Sequence, residues 1–234
     1  MSKKMENEQK GSNPAIWYGA TGLLLIIAIA VVFFAWQQNQ TATEAAMAPS
    51  AVQDGLPDYN VQTWVKGNPG SENRIVAFSD YGCIHCARFH SVVEDFIEEY
   101  GDIIAFEKRH YPINNNYHSR MAAVAAVAAG KQGKFWEMSN LLYYNTDRWR
   151  VENPEPGFLG MAEFLELDMD QFQKDMYDED ITYSVVRGHL AAREFGINAT
   201  PTVYLNGEQI RAAVSPQQLY AFVFGEEPPS SDEE

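Results

Sequence analysis

The period of the hydrophobic pattern changes inside the stretch 74–101. Ile75 to Phe78 form a short apolar run, and then Phe89, Val92, Val93, Phe96, Ile97 and Tyr100 recur at helical spacing. The pattern predicts a strand at 75–78, a turn over "SDYGC", and a helix that Gly101 stops as its C′ residue. A second strand is expected at about 103–110. Strand, turn, helix, strand is the opening of a βαβ unit.

Downstream, residues 118–195 read as helical. "HSRMAAVAAVAAG" is an Ala-rich helix ended by Gly130, and "GKFWEMSNLLYYN" is amphipathic. Asp168 with Gln171 resembles a capping box before another helix, and 181–195 form the last, ended by Gly196. The pattern then returns to β-branched and aromatic residues at 202–205. Asn206-Gly207 is a type I′ hairpin signal, with 208–210 as the returning strand. Pro201 opens the first of these strands, where a missing N–H is tolerated. Ser215-Pro216 starts a final helix, Ser as N-cap and Pro at the first helical position, with Leu219, Phe222 and Val223 facing inward.

The two ends of the chain differ in kind. No charged residue occurs from Gly11 to Thr43, and residues 15–37 are nearly all apolar. That length spans a ~30 Å hydrocarbon layer as a helix. Trp17 and Tyr18 stand at one end and Trp36 at the other, as interfacial aromatics do. Lys3, Lys4 and Lys10 precede the run and no Lys or Arg follows it before Lys66, so residues 1–14 are expected in the cytoplasm and the rest outside. The rival reading is a cleaved signal peptide with "AMA" at 46–48 as the cut, but the run exceeds a signal core of ~7–15 residues. Residues 38–57 are a polar, Ala-rich linker, and 225–234 an acidic, Pro/Ser-rich tail. The folded domain is therefore expected at 58–224. The net charge of −15 argues against nucleic acid as a partner, because phosphate binding needs a basic surface.

Candidate chemistry concentrates at the turn. Both cysteines of the chain, Cys83 and Cys86, lie there, separated by Ile84 and His85. The pattern puts Cys83 at the helix N-terminus and Cys86 one turn in. Unpaired N–H groups and the positive end of the helix dipole favour an anion at that point. A protonated His85 adds charge in the same turn. Such surroundings lower a thiol to ~3.5–7.5 and raise its thiolate fraction. A stabilised thiolate stabilises the reduced pair, so the corresponding disulfide is the stronger oxidant, by ~30 mV per 1.4 kcal/mol. A structural zinc needs four ligands, and neither further cysteines nor a suitable histidine pair complete such a set. A purely structural disulfide remains open outside the cytoplasm, although so short a loop constrains little of the unfolded chain.

"FSDYGCIHC", "RHYPI" (109–113), "GKFWEM" (133–138) and "GINATPTVYLNG" (196–207) follow one another in the order found in DsbA-like thiol oxidoreductases. Over most of residues 58–224 the chain resembles that branch of the thioredoxin superfamily. The resemblance implies an α/β thioredoxin-like fold, a central mixed sheet with a helical insertion at about 118–195, preceded here by the transmembrane helix. It implies that Cys83 is the exposed nucleophile, Cys86 the buried resolving cysteine, and Thr200-Pro201 a substrate-binding loop whose cis-proline packs on the pair. The redox-active disulfide is then the whole catalytic equipment, with no cofactor or metal. Reduced, unfolded secreted proteins are the implied substrates and a DsbB-type membrane protein the implied regenerating partner. A reductase or isomerase uses the same scaffold, and an anchored binding protein with a structural disulfide is the non-enzymatic alternative. The chain departs from the family twice. Many relatives carry a buried carboxylate six residues before the first cysteine, where this chain has Ala77, and Ile84 replaces the commoner proline between the cysteines. Asp80 is expected to keep its carboxylate in the turn.

Overall fold

The structure, a computed structural model, describes residues 29–34, 63–213 and 215–225. Residues 29–34 are helical and solvent-exposed. Among the described residues no helix is long and apolar enough to cross a membrane. The span read at 15–37 lies largely outside them, as do the segment 1–14, the linker 38–57 and the tail beyond Gly225.

Five strands form one mixed sheet: β1 (Trp64–Gly67), β2 (Arg74–Ser79), β3 (Ala105–His110), β4 (Thr202–Leu205) and β5 (Glu208–Ile210). Their order is β1-β3-β2-β4-β5. β2 and β3 run parallel, joined by the crossover helix α1 (Ile84–Tyr100), and every other pairing is antiparallel. One sheet face packs Ile75, Ala77, Phe106 and Val203 against Phe89, Val93 and Phe96 of α1 and Leu219 of the last helix, α8 (Pro216–Phe224). The other face packs Val76, Phe78 and Tyr204 against Tyr111, Ala192 and Ile197.

Between β3 and β4 the chain inserts six helices: α2 (Tyr117–Gly130), α3 (Phe135–Tyr144), α4 (Thr146–Trp149), α5 (Glu155–Phe164), α6 (Met169–Met176) and α7 (Glu179–Glu194). Ala122 to Ala129 of α2 are all buried in the core of this subdomain. Tyr81 and Cys86 belong to that same core. The active-site turn is therefore built where the insertion meets the end of the sheet.

Several local expectations hold. Ser215 Oγ accepts from the Gln218 N–H at 3.2 Å. Asn206 and Gly207 take φ of 49° and 83°, as a type I′ turn requires. Others need correction. Gly101 caps α1 in the right-handed region, φ −60° and ψ −24°, so it is no left-handed C′ residue. Gly130 is the last residue of α2 rather than its stop. A Cβ there would lie 2.2 Å from the Trp64 ring, so the glycine is required by packing. Only half of the capping box forms. Asp168 Oδ1 accepts from the Gln171 N–H, but the Asp168 N–H donates to Gln132 across the subdomain. α4 and α5 have no counterpart in the sequence pattern, since Pro156, Gly157 and Gly160 interrupt the periodicity of "EPGFLGMAEF".

Candidate active site

Cys83 is the N-cap of α1, with extended φ and ψ of −94° and 119°. An N-cap side chain normally accepts from N–H groups of the first turn. Here the acceptor is sulfur: Cys83 Sγ receives the Cys86 N–H at 3.4 Å. Both cysteines are free thiols, Cys83 half-buried and Cys86 fully buried. The turn before them is held by Asp80, whose Oδ1 accepts from Gly82 at 2.6 Å and whose Oδ2 accepts from Ile113 at 2.8 Å. The carboxylate thus stays in the turn, as the sequence suggested. Gly82 lets α2 approach, because a Cβ there would lie 2.8 Å from Ser119 Oγ.

The far loop closes over the pair. The Thr200–Pro201 bond is cis, and β4, which follows it, pairs with β2, which precedes the cysteines. That pairing carries Thr200 across 117 residues of sequence to Cys83, whose thiol donates to the Thr200 carbonyl at 3.5 Å. Thr200 Oγ1 is buried and has no hydrogen-bond partner among the described residues.

The two thiols are driven apart. Cys83 is lowered to about 5, first by the hydrogen bond from the Cys86 side chain; partial burial opposes this, and Thr200 and the N–H groups of Cys86 and His85 add to it. Cys86 is pushed far up, chiefly by burial and then by its bond to Cys83. His85 and Ile84 are exposed beside the nucleophile. His85 acts on Cys83 through its backbone N–H, where the sequence suggested its ring.

Beneath Cys86 lies a layer that the sequence pattern did not single out. Consecutive residues of β3 alternate faces. Glu107 and Arg109 point one way, and Glu107 pairs with Arg109 at 2.6 Å and with Arg74 at 2.9 Å. Lys108 and His110 point the other way, under the site. Lys108 is buried, with its Nζ 4.2 Å from the Tyr81 ring centre and 4.1 Å from that of Tyr143. It donates to Tyr143 Oη at 3.0 Å. Among the described residues no carboxylate lies within ion-pair distance of it. Burial lowers it to about 7, against the pull of Cys86, Glu94 and Asp80. His90 and His110 are both lowered to about 3, by burial and by the Lys108 charge. The available signal was the charged run "EKRH" in a strand flanked on both sides, where each charge needs a partner or a task.

A cysteine pair at a helix N-terminus, a cis-proline loop over it and a sheet of this order define a thioredoxin-fold protein. The Thioredoxin family model matches residues 59–223, and the chain belongs to that family. A thioredoxin-like oxidoreductase from Silicibacter pomeroyi is 28% identical, with a TM-score of 0.59 over 73% of this chain and 94% of its own. The thiol-disulfide exchange protein alpha-DsbA2 from Wolbachia pipientis shares the fold at 21% identity, with a TM-score of 0.61 over 80% of this chain and 96% of its own. The structural neighbours are thus thiol-disulfide oxidoreductases of the DsbA kind. Among curated proteins, a Na(+)/H(+) antiporter NhaA 1 from Salinispora arenicola is 28% identical over 76% of this chain. The chain spans only 28% and 33% of the length of the first two curated relatives it matches.

Proposed function

We propose that this protein is an extracytoplasmic thiol:disulfide oxidoreductase that oxidises cysteine pairs of secreted proteins. The observation that carries this reading is the asymmetry of the pair: Cys83 caps the helix, its Sγ receiving the Cys86 N–H at 3.4 Å, which favours its thiolate, while Cys86 one turn on is fully buried, which disfavours its ionisation. Stabilising the reduced pair makes its disulfide oxidising.

A substrate thiolate attacks Cys83 Sγ of the disulfide, the Cys83–Cys86 bond breaks, and Cys86 leaves as a thiolate that takes up a proton. A second substrate thiolate then attacks the substrate sulfur of the mixed disulfide, forming the substrate disulfide and expelling Cys83 as a thiolate. Two electrons pass from substrate to enzyme. Thr200 and Pro201 bind the substrate segment, the backbone of Thr200 pairing with extended chain. Ile84 offers an apolar contact beside the nucleophile, and His85 supports the thiolate. No cofactor or metal takes part. A DsbB-type membrane protein accepts the electrons, and the apolar segment 15–37 anchors the enzyme beside it, with residues 1–14 in the cytoplasm.

The reduction potential tests the direction. Equilibrated with glutathione, the pair should lie less negative than about −200 mV, toward DsbA at about −120 mV and away from thioredoxin at about −270 mV. A value at or below −200 mV, on the same scale, overturns the oxidase reading.

A further inference from the structure

Three consecutive residues at the end of α4 lie beside the active-site turn. Trp149 is fully buried, and its Nε1 donates to the Leu142 carbonyl at 2.9 Å. A Cβ on Gly82 would lie 4.0 Å from the Trp149 ring, so the indole borders the turn. Arg150 donates from Nη1 to the Gly82 carbonyl at 3.4 Å. The Val151 carbonyl accepts from His118 Nε2 at 2.7 Å, and Ser119, next to His118, packs against Gly82. Gly82 directly precedes Cys83, so Arg150 is held beside the nucleophile by anchored neighbours on both sides.

Arg150 itself is exposed. Its contact with Gly82 is a long one and engages a single N–H of the five that a guanidinium carries. Among the described residues no carboxylate lies within ion-pair distance of it, although Asp147 and Glu152 are close in sequence. Other basic groups near the turn have different work: the His118 ring is committed to Val151, and the Arg120 guanidinium lies over the Tyr117 ring at 5.8 Å. A planar guanidinium fork matches the two oxygens of a carboxylate. The chain as a whole carries a net charge of −15, so an acidic segment is repelled on approach unless a local cation offsets that field.

We propose that Arg150 is a specificity-determining residue of the exchange reaction, and that it recognises a carboxylate next to the reacting cysteine of the substrate. This rests on the exchange chemistry proposed above. As the substrate sulfur bonds Cys83 Sγ and Cys86 leaves, the residues that flank the substrate cysteine come within reach of the N–H groups of Arg150 that Gly82 does not use. Main-chain pairing at Thr200 gives affinity without reading side chains. Arg150 adds a preference: cysteines with acidic neighbours are oxidised ahead of cysteines with basic ones.

The test uses dithiol peptides that differ only in the two residues flanking the first cysteine, both Glu, both Gln or both Lys. Oxidised full-length protein is mixed with each reduced peptide, and the rate of peptide oxidation is read by acid quench and mass measurement. The peptides differ in the acidity of their own thiols, so the quantity compared between enzymes is the ratio of the Glu-peptide rate to the Lys-peptide rate, in which that difference cancels. Arg150→Gln should lower the ratio ~5-fold at low salt, and the difference from wild type should fade in ~0.5 M salt. Arg150→Lys keeps the charge and should keep most of the ratio. Arg148→Gln removes the same charge at the groove between α3 and α5 and should leave the ratio at its wild-type value. An unchanged ratio in Arg150→Gln, or an equal fall in Arg150→Lys or Arg148→Gln, contradicts the proposal. A wild type that oxidises none of the peptides, the Gln peptide included, overturns the exchange reading itself and this proposal with it. The mixed disulfides of Cys86→Ser leave Arg150 in place: its Nε–H resonance should differ between the Glu and Gln complexes, and identical resonances contradict the proposal.

Discussion

Cys83 and Cys86 stand one helical turn apart, yet their surroundings are made in different ways. The mouth of the site, around Cys83, combines the Cys86 thiol, which does most to lower Cys83, with backbone N–H groups of the first turn and with the Thr200 carbonyl, which accepts from the Cys83 thiol. The floor, around Cys86, is side chains from three regions of the sequence: Tyr81 from the turn, Lys108 from β3 and Tyr143 from the insertion. Backbone donors stabilise an anion whatever residues surround them. Buried side chains do so only where each charge is placed against the cost of desolvation. The nucleophile's chemistry therefore depends on its partner cysteine and on backbone N–H groups that tolerate substitution, while that of the resolving cysteine depends on the side chains packed around it.

The largest effect should come from separating the two thiols. Cys83→Ser should abolish exchange with a dithiol peptide. Cys86→Ser should still be attacked through Cys83 and accumulate mixed disulfides, detected by mass, with release slowed ~100-fold or more because the intramolecular thiol is gone. If Cys86→Ser released its partner as fast as wild type, the division of labour between mouth and floor would fall.

A smaller effect concerns pH and stability. Cys83 titrates at about 5 in the reduced native protein and near 8.5 unfolded. Between those values the unfolded chain binds more protons, so the stability of the reduced form rises with pH from about 5 to 8.5 and is lost as pH falls through 5. His90 and His110, lowered to about 3 against ~6.5 unfolded, act in the same sense at lower pH and remove stability from both redox forms as pH falls from ~6.5 toward 3. Denaturant titrations of reduced and oxidised protein should therefore diverge in favour of the reduced form above pH 5 and decline together below 6.5. A reduced-minus-oxidised difference flat from pH 5 to 8 would contradict the mouth's electrostatics.

The smallest effects lie within the mouth. Thr200→Val removes a buried hydroxyl that has no partner while Cys83 is a thiol and that can turn to donate to its thiolate, and should raise the midpoint by less than the span from 5 to 8.5. His85→Ala leaves the backbone N–H in place, so its effect should be smaller still and vanish in ~1 M salt, where exposed charges are screened. A larger shift for His85→Ala than for Thr200→Val would return the ring to the principal place that the sequence suggested for it.

The same contrast governs what the chain disclosed. The strand, turn and helix around Cys83 were legible because period and N-terminal position are local properties. The Asn206-Gly207 hairpin and the Ser215-Pro216 helix start were legible for the same reason. The Thr200-Pro201 contact became legible through a whole-chain resemblance, since no local pattern spans that separation. Lys108 stayed hidden because its meaning depends on which sheet face it takes and on what the insertion places above it. "AFEKRH" reads as a polar strand until β1 and β2 flank it. Gly130 misled for a related reason: a glycine that ends a periodic run looks like a stop, whereas here it makes room for Trp64.

The Cys83 thiolate is the centre of the proposed chemistry, and its ultraviolet absorbance in the reduced wild-type protein, followed from pH 3 to pH 10, reports it without a substrate. One thiolate transition is expected, with a midpoint near 5 and absent in Cys83→Ser, with no ionisation of Cys86 in that range. A midpoint near 8.5, the value of a free cysteine, would contradict it.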